Sequence, residues 1–189
     1  MKKDLLLVID MQNVYGEDGA WCCPGAAAAA ERIKKLICER AGSLDVIFTR
    51  FLSDDGAQGT WKEYNRVNSE INADPHANGM MDIFSDEIRK YPLYSKSLYS
   101  SFAIPEVREA ARRAERVLLT GVVAECCVLF TAVSLIDEGI PVLYMKDCVA
   151  GIDSETEKAA ETVLGGLEPV QVRIMSSEEY LSETENDQR

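Results

Sequence analysis

LLLVID (residues 5–10) is a continuous apolar run that ends on an acidic residue. An uninterrupted run of this kind is typical of a strand that is buried on both faces of a sheet. Five later segments also show strand patterns: DVIFT (45–49), Tyr94–Lys96, RVLLT (116–120), PVLYM (141–145) and Val170–Ile174.

Helical patterns lie between most of these strands. They cover Ala26–Arg40, Trp61–Arg66, Ile104–Ala114, Ala124–Glu138 and Asp153–Leu164. The last helix is predicted to begin with a capping box formed by Ser154 and Glu157. Because strands and helices alternate, we predict a six-stranded, mostly parallel, Rossmann-like sheet in a three-layer α/β/α fold.

The chain has 189 residues, which fits one domain, and we predict a single domain over residues 1–189. Apolar residues make up 47% of the chain and charged residues 28%, so a core can form without metals or disulfides. Residues 176–189 are predicted to form an acidic, solvated or frayed C-terminal tail. The region 50–87 is long and irregular, which favours a lid or a pocket wall.

The formal net charge of −12 argues against sequence-independent binding to nucleic acid or to an anionic membrane surface. The apolar run at residues 5–9 is too short for a signal peptide, and no run approaches the ~20 residues that span a bilayer. We therefore expect a cytoplasmic protein. The six cysteines are interpreted as reduced thiols. With one histidine and no Cys-x-x-Cys pair, a structural zinc site is not expected.

Polar residues stand at or near the carboxyl ends of the predicted strands, where parallel sheets bind their ligands. Asp10, Lys96 and Cys127 have side chains that are suited to nucleophilic catalysis, and Arg50 and Asp147 follow two other strands. The carboxyl ends of parallel strands meet at one edge of the sheet. We therefore expect these side chains to lie near one another.

Cys127 lies in GVVAECCV (121–128), at the predicted start of a helix. Unpaired N–H groups and the helix dipole favour a thiolate in the first turn, and the same groups can bind an oxyanion. A buried apolar role is the alternative, since free cysteines are commonly buried. Asp10 is either a cap for the next loop or a working carboxylate. Lys96 is either a surface lysine or a catalytic cation.

Three sequence blocks are more specific when they are taken together. They are DMQN (10–13), KSLYSSF (96–102) and GVVAECCV (121–128), accompanied by Thr131-Ala132 and DCVA (147–150). These blocks follow one another through nearly the whole chain. In them the sequence resembles the isochorismatase-like cysteine hydrolase superfamily. That superfamily includes nicotinamidases, N-carbamoylsarcosine amidases and ureidoacrylate amidohydrolases.

The resemblance implies a catalytic triad of Asp10, Lys96 and Cys127. It also implies a cis peptide bond between Val122 and Val123, and an oxyanion hole formed by the backbone N–H groups of Val123 and Cys127. An isochorismatase-like hydrolase fold and a homo-oligomer, either a dimer or a tetramer, are implied as well. No cofactor is implied.

The function predicted from this resemblance is hydrolysis of a C–N bond in a small amide or ureide, through a thioester on Cys127, with release of ammonia or an amine. Isochorismatases proper cleave an enol ether and commonly lack the cysteine, so an ether hydrolase is the first alternative. A non-catalytic, thiol- or redox-responsive protein is the second, since Cys126 adjoins Cys127. Dinucleotide binding is rejected because the loop after the first strand has no Gly-x-Gly-x-x-Gly.

The candidate substrate pocket comprises five residues: Gln12, Arg50, Trp61, Tyr99 and Phe102. Arg50 is suited either to pair with a substrate carboxylate or to stabilise neighbouring acidic loops. The aromatic residues either line the pocket or pack the long loop.

No metal is predicted at the site. Nicotinamidases hold a metal with an Asp-x-His…His cluster after the second strand, whereas the stretch 49–58 contains no histidine. Asp54 and Asp55 are interpreted as part of a solvated loop rather than a cation site. His76 is predicted to lie in an exposed loop, away from Cys127.

Overall fold

The computed structural model describes residues 2–186, and side chains up to residue 183. Within that range six strands form one sheet in the order β3-β2-β1-β4-β5-β6, and all of its pairings are parallel. The strands are β1 (Asp4–Ile9), β2 (Leu44–Phe51), β3 (Leu93–Lys96), β4 (Val117–Val122), β5 (Val142–Ala150) and β6 (Val172–Met175).

Helices connect the strands and follow the last one. They are α1 (Ala26–Glu39), α2 (Thr60–Val67), α3 (Ser69–Asn72), α4 (Pro105–Arg113), α5 (Leu129–Asp137), α6 (Ser154–Gly165) and α7 (Ser177–Asn186). The remaining described elements are short. They are three 3-10 turns, at Asn13–Tyr15, Asp82–Phe84 and Ser101–Ala103, and a π-helical turn at Ala124–Val128. None of the helices within residues 2–186 has the length and apolar content that a membrane span requires.

The sheet has a hydrophobic core on each face. Leu6 and Val8 point into one core, which contains residues of α1 and α7. Leu5, Leu7 and Ile9 point into the other, which contains residues of α4, α5 and α6. Because β1 lies at the centre of the sheet, both of its faces are covered, and this explains its continuous apolar run. The predicted three-layer α/β/α fold is confirmed.

The order of the strands reverses at β1, which lies between β2 and β4. In open parallel sheets this switch point leaves a crevice beyond the carboxyl ends of the two central strands. Asp10 follows β1 directly, and the π-helical turn that contains Cys127 follows β4 after one residue. The topology therefore brings two of the candidate catalytic residues to one crevice.

The prediction that Asp147 follows the fifth strand is wrong, because β5 continues to Ala150. The carboxylate of Asp147 accepts hydrogen bonds from the backbone N–H of Ser177 (2.8 Å) and from its hydroxyl (2.6 Å). Asp147 thus fixes the start of α7 and takes no part in the crevice.

The prediction of a solvated or frayed tail is wrong for the described part of residues 176–189, since Ser177–Asn186 form α7. Tyr180 is 1% exposed, and its hydroxyl donates to Asp4 Oδ2 at 2.9 Å. Arg116 donates to both oxygens of Asp4. One buried tyrosine thus anchors a helix whose many acidic residues suggested only a solvated segment. Residues 187–189 lie outside the described range.

The predicted capping box of α6 is also wrong. Asp153 caps this helix, because its Oδ1 accepts hydrogen bonds from the N–H groups of Glu155 (3.0 Å) and Thr156 (2.8 Å). The side chain of Glu157 reaches back past the N-cap residue and accepts from the N–H of Gly151 at 3.1 Å. An aspartate at the N-cap position satisfies the first-turn donors as well as a serine does.

Gly121 lets β4 approach β1 closely enough to form the crevice. Its φ angle is +102°, and a Cβ atom there would lie 2.0 Å from the carbonyl oxygen of Ile9. We expect Gly121→Ala to lower the free energy of unfolding by about 3–5 kcal/mol, through left-handed strain and overpacking. Urea denaturation measures this change.

Gly139→Ala is the matched control for Gly121→Ala. Gly139 also has a positive φ angle (+73°), but a Cβ atom there meets nothing within 4 Å. We expect this variant to lose only about 1–2 kcal/mol, from strain alone. Equal losses in the two variants would show that close contact with β1 is unimportant.

Candidate active site

Asp10 leaves β1 in a left-handed conformation, with a φ angle of +51°. By strand alternation its side chain would share the face of Leu6 and Val8. Its carboxylate instead accepts from the hydroxyl of Thr49 at 2.9 Å and from Lys96 Nζ at 2.6 Å. The unusual backbone conformation therefore accompanies a side chain that lies within the polar site and is fully buried.

Lys96 is the last residue of β3, and its ammonium group lies at the centre of the site. Nζ donates to Asp10 Oδ2 at 2.6 Å, to the carbonyl oxygen of Leu98 at 3.1 Å and to Cys127 Sγ at 3.3 Å. A lysine ammonium has three donors, and each has an acceptor here. The side chain is 1% exposed, so Lys96 is not the surface lysine that its residue type suggests.

Cys127 lies in the π-helical turn after β4, and it is 3% exposed. The peptide bond between Val122 and Val123 at the start of this turn is cis. The carbonyl oxygen of Cys127 accepts from the hydroxyl of Thr131 at 2.6 Å, which fixes the turn against α5. The structure thus brings Asp10, Lys96 and Cys127 into one buried cluster.

The electrostatic environment keeps Cys127 protonated in the resting site. Burial raises the pKa of the Cys127 thiol, and Asp10 raises it further, both through its charge and as a hydrogen-bond acceptor. Lys96 acts in the opposite direction but does not outweigh them. Burial therefore opposes the thiolate that the helix start was expected to favour.

Lys96 remains an ammonium ion although it is buried. Burial lowers the pKa of Lys96, but the Asp10 carboxylate, through its charge and its hydrogen bond, acts in the opposite direction, and the pKa is raised overall. The cluster at rest therefore contains a thiol beside a lysine–aspartate ion pair.

Hydroxyl groups that the sequence analysis missed surround the cluster. The hydroxyl of Thr49 contacts both Asp10 and the hydroxyl of Ser101, the latter at 3.1 Å. The backbone N–H of Ser101 donates to the hydroxyl of Thr131 at 2.9 Å. All three residues are fully buried. A polar residue inside an otherwise apolar strand, as in DVIFT, was the signal that could have identified Thr49.

A cavity of about 500 Å³ adjoins the cluster. Leu98 connects the two, because its carbonyl oxygen accepts from Lys96 and the residue also lines the cavity. Two predicted pocket residues, Trp61 and Tyr99, lie in this cavity with their ring centroids 4.8 Å apart. The complete lining is Thr60, Trp61, Tyr64, Leu98, Tyr99, Ser100 and Phe130.

Gln12 is not a pocket residue. Its side-chain amide donates to the carbonyl oxygens of Phe51 and Asn78, both at 3.0 Å, and its Oε1 accepts from the N–H of Phe51 at 2.7 Å. Gln12 therefore joins the end of β2 to the loop around residue 78, and both ends of its amide are occupied.

Two further pocket predictions, Arg50 and Phe102, are not supported by the structure. Arg50 lies within β2, and its Nε donates to Ser95 Oγ at 2.9 Å; this places it on the sheet face opposite to that of Lys96. Phe102 is 6% exposed and belongs to the core beneath α4 and α5, where the guanidinium of Arg108 lies over its ring.

Side chains suited to metal binding do not cluster at this site. Among the described side chains, no group of three or more histidine, cysteine, aspartate or glutamate residues is arranged to hold a metal ion. Asp54 is exposed, and its Oδ1 accepts from the N–H of Gly56. His76 lies in an exposed loop, and no hydrogen bond within residues 2–186 joins it to Cys127.

These features define the class of protein: a parallel α/β protein with a buried aspartate–lysine–cysteine cluster at the switch point of its sheet. The family model of the isochorismatase domain matches residues 4–179. The chain therefore belongs to the isochorismatase family, whose members are hydrolases.

Solved structures with the same fold include three with informative names. A cysteine hydrolase from Pseudomonas syringae pv. phaseolicola 1448A has a TM-score of 0.81 at 20% identity, over 97% of this chain and 93% of that one. A pyrazinamidase/nicotinamidase from Streptococcus mutans UA159 has a TM-score of 0.74 at 21% identity, over 92% and 100%. An isochorismatase-like hydrolase from Alkaliphilus metalliredigens has a TM-score of 0.69 at 21% identity, over 96% and 98%.

At these identities the structural likeness establishes the fold. A comparison of the sequence with curated proteins gives no significant match.

Opposite pKa shifts are expected when the two charged neighbours of Cys127 are removed separately. Asp10→Asn lowers the pKa of the Cys127 thiol, because it removes a negative charge and a strong acceptor. Lys96→Met raises that pKa, because it removes the stabilising cation. Iodoacetamide alkylation of Cys127 against pH, followed by peptide mass mapping, measures both midpoints.

The other five cysteines serve as internal controls in the alkylation experiment. Limited access slows the alkylation of a buried thiol at every pH, so the midpoints of the pH profiles of Cys127 are compared rather than the rates. Midpoints that shift in the same direction in both variants would contradict the arrangement of charges described here.

Proposed function

We propose that this chain is a cysteine hydrolase that cleaves a C–N bond of a small amide or ureide through a thioester on Cys127. The observation that carries the proposal is the position of the Lys96 ammonium, which contacts both the Asp10 carboxylate and the Cys127 sulfur in a buried site. A base and a nucleophile joined by a cation are the groups that this chemistry needs.

In the first half of the reaction Asp10 accepts the thiol proton, and Lys96 stabilises the thiolate that forms. The sulfur attacks the carbonyl carbon of the substrate, and the backbone N–H groups of Val123 and Cys127 bind the resulting oxyanion. Asp10 then returns the proton to the departing nitrogen, so the C–N bond breaks and ammonia or an amine leaves.

In the second half a water molecule attacks the thioester. Asp10 accepts a proton from that water, and the tetrahedral intermediate collapses with release of the carboxylic acid product. The proton then returns to the sulfur of Cys127, which restores the resting thiol. Each half-reaction uses Asp10 once as a base and once as an acid.

Two observations favour amide over ether hydrolysis. Cys127 is present and lies in contact with Lys96, whereas family members that cleave the enol ether commonly lack the cysteine. Two of the similar structures are named as a pyrazinamidase/nicotinamidase and a cysteine hydrolase. Ether cleavage would release pyruvate, so the products of the reaction distinguish the two activities.

We expect ammonia or amine release from at least one member of a panel of small amides and ureides. Cys127→Ala and Asp10→Asn should each reduce this turnover by roughly 10³-fold or more, because the loss of one residue of a catalytic unit removes most of the contribution of the others. Ammonia detection and trapping of an acyl-enzyme by mass spectrometry test the expectation. Pyruvate release from isochorismate without any amide turnover would contradict it.

Thr49→Val leaves Cys127 unchanged, and we expect it to reduce the turnover nevertheless. It removes the hydroxyl that donates to Asp10, an interaction with a charged group worth about 1.5–3 kcal/mol. Loss of that energy in the transition state corresponds to roughly a ten- to hundredfold fall in kcat.

Thr120→Val is the matched control for Thr49→Val. Thr120 is equally buried in a central strand and donates one hydrogen bond, to the carbonyl oxygen of Leu7 at 3.0 Å. We expect a comparable loss of stability and an unchanged kcat. Equal falls in kcat for the two variants would mean that the Thr49 hydroxyl acts only on stability.

A further inference from the structure

Three buried hydroxyl side chains link Asp10 to Cys127. Thr49 Oγ1 lies 2.9 Å from Asp10 Oδ1 and 3.1 Å from Ser101 Oγ. The backbone N–H of Ser101 donates to Thr131 Oγ1 at 2.9 Å, and the Thr131 hydroxyl donates to the carbonyl oxygen of Cys127 at 2.6 Å. We call Thr49, Ser101 and Thr131 the hydroxyl bridge.

The donors and acceptors of the hydroxyl bridge fix the direction of each of its bonds. An ionised carboxylate only accepts, so the single proton of the Thr49 hydroxyl is used on Asp10. The Ser101 hydroxyl therefore donates to Thr49. A carbonyl oxygen also only accepts, so Thr131 donates to Cys127 and accepts from Ser101. Each hydroxyl thus has one orientation that keeps all of the bonds.

The hydroxyl bridge joins elements that are distant in the sequence. Thr49 lies in β2, Ser101 in a 3-10 turn and Thr131 in α5. All three residues are fully buried, and hydrogen bonds are electrostatically stronger in such surroundings than in water. The residues that line the cavity beside the cluster do not include them. The bridge therefore acts on the catalytic groups and not on a ligand in the cavity.

Lys96 provides a second route between Asp10 and Cys127, because its ammonium group contacts both. This route depends on charge. In the proposed mechanism Asp10 becomes neutral when it accepts the thiol proton, and the sulfur is neutral in the thioester, so the attraction to Lys96 weakens at both ends. The hydroxyl bridge consists of neutral donors, and a protonated carboxyl group still accepts a hydrogen bond. The bridge therefore persists when the charges change.

We infer that Ser101 and Thr131 are positioning residues that hold the turn of Cys127 opposite Asp10 during the reaction. This inference rests on the proposed function and adds two residues to its machinery. Ser101 is the junction, because its hydroxyl belongs to the Asp10 half of the bridge and its backbone N–H to the Cys127 half. Misplacing reacting groups by about 1 Å can lower a rate about a hundredfold.

Ser101→Ala and Thr131→Val cut the two halves of the bridge separately. We expect each to lower kcat about tenfold on the amide or ureide that the chain hydrolyses, with KM changed less than about twofold, because neither residue lines the cavity. Thr131→Ser keeps the hydroxyl and should restore kcat to within about twofold of the unmodified chain. A Thr131→Ser variant as slow as Thr131→Val would overturn the role of this hydroxyl.

A double-mutant cycle tests whether the hydroxyl bridge acts as a unit. Within the described residues no hydrogen bond joins Thr49 directly to Thr131, so independent effects of Thr49→Val and Thr131→Val on kcat would multiply. A bridge that is already open loses little from a second break. We therefore expect the double variant to lie within about threefold of the slower single variant. A loss equal to the product of the two single losses would overturn the inference.

Two variants serve as matched controls. Thr120→Val removes a buried hydroxyl outside the bridge, and adding it should leave the loss caused by Thr131→Val unchanged. The Thr162 hydroxyl donates to the carbonyl oxygen of Lys158, four residues earlier, as that of Thr131 does to Cys127. Thr162→Val should not change kcat, and a fall as large as that of Thr131→Val would overturn the inference. Thermal unfolding of each variant confirms that the fold is retained.

The rate at which iodoacetamide alkylates Cys127 at one fixed pH is a readout that needs no turnover. We expect Thr49→Val and Thr131→Val each to change this rate at least about threefold, and the second substitution to add less than about twofold once the first is present. Unchanged rates, or factors that multiply, would overturn the bridge. Failure of the proposed function appears separately, as absence of ammonia or amine release by the unmodified chain.

Discussion

The buried ion pair between Asp10 and Lys96 is the constraint on which the rest of the site depends. The two residues are 86 positions apart in the sequence, and their charged atoms lie 2.6 Å apart with almost no solvent exposure. Removing two charges from water is costly, and only good geometry with further hydrogen bonds offsets the cost. Thr49 supplies such a bond to Asp10, and the carbonyl oxygen of Leu98 supplies one to Lys96. Thr49 lies in β2, and Leu98 follows the end of β3 by two residues.

This ion pair also determines how the thiol can react. Cys127 lies beside a positive and a negative charge that largely cancel, so burial dominates and keeps the thiol protonated. In the proposed reaction, attack on a substrate carbonyl moves the negative charge from the sulfur to the carbonyl oxygen. Backbone N–H groups can then stabilise that charge by donating hydrogen bonds to the oxygen. The proton has a short path, since Lys96 Nζ contacts both Asp10 Oδ2 (2.6 Å) and Cys127 Sγ (3.3 Å). In the proposed mechanism the thiolate therefore forms together with its bond to the substrate.

The sheet is predictable from local signals, because continuous apolar runs identify its central strands. The cluster of Asp10, Lys96 and Cys127 is predictable from the resemblance of three motifs, taken together, to those of a known family. A contact whose partner is distant in the sequence is not predictable in either way. Gln12 adjoins Asp10 in sequence, but its amide is used by Phe51 and Asn78, 39 and 66 residues away. Tyr180 is one apolar residue in an acidic stretch, and its partner Asp4 lies 176 residues earlier.

The cavity beside the cluster shows why chemistry and specificity are encoded differently in this chain. Asp10, Lys96 and Cys127 are held by β1, β3 and the turn after β4, whose positions the sheet determines. The aromatic residues that line the cavity come mostly from the connections between those elements: Trp61 and Tyr64 from α2, and Tyr99 from the segment after β3. Connections tolerate substitution better than central strands do. A fixed cluster beside a variable cavity can therefore serve different substrates with one mechanism.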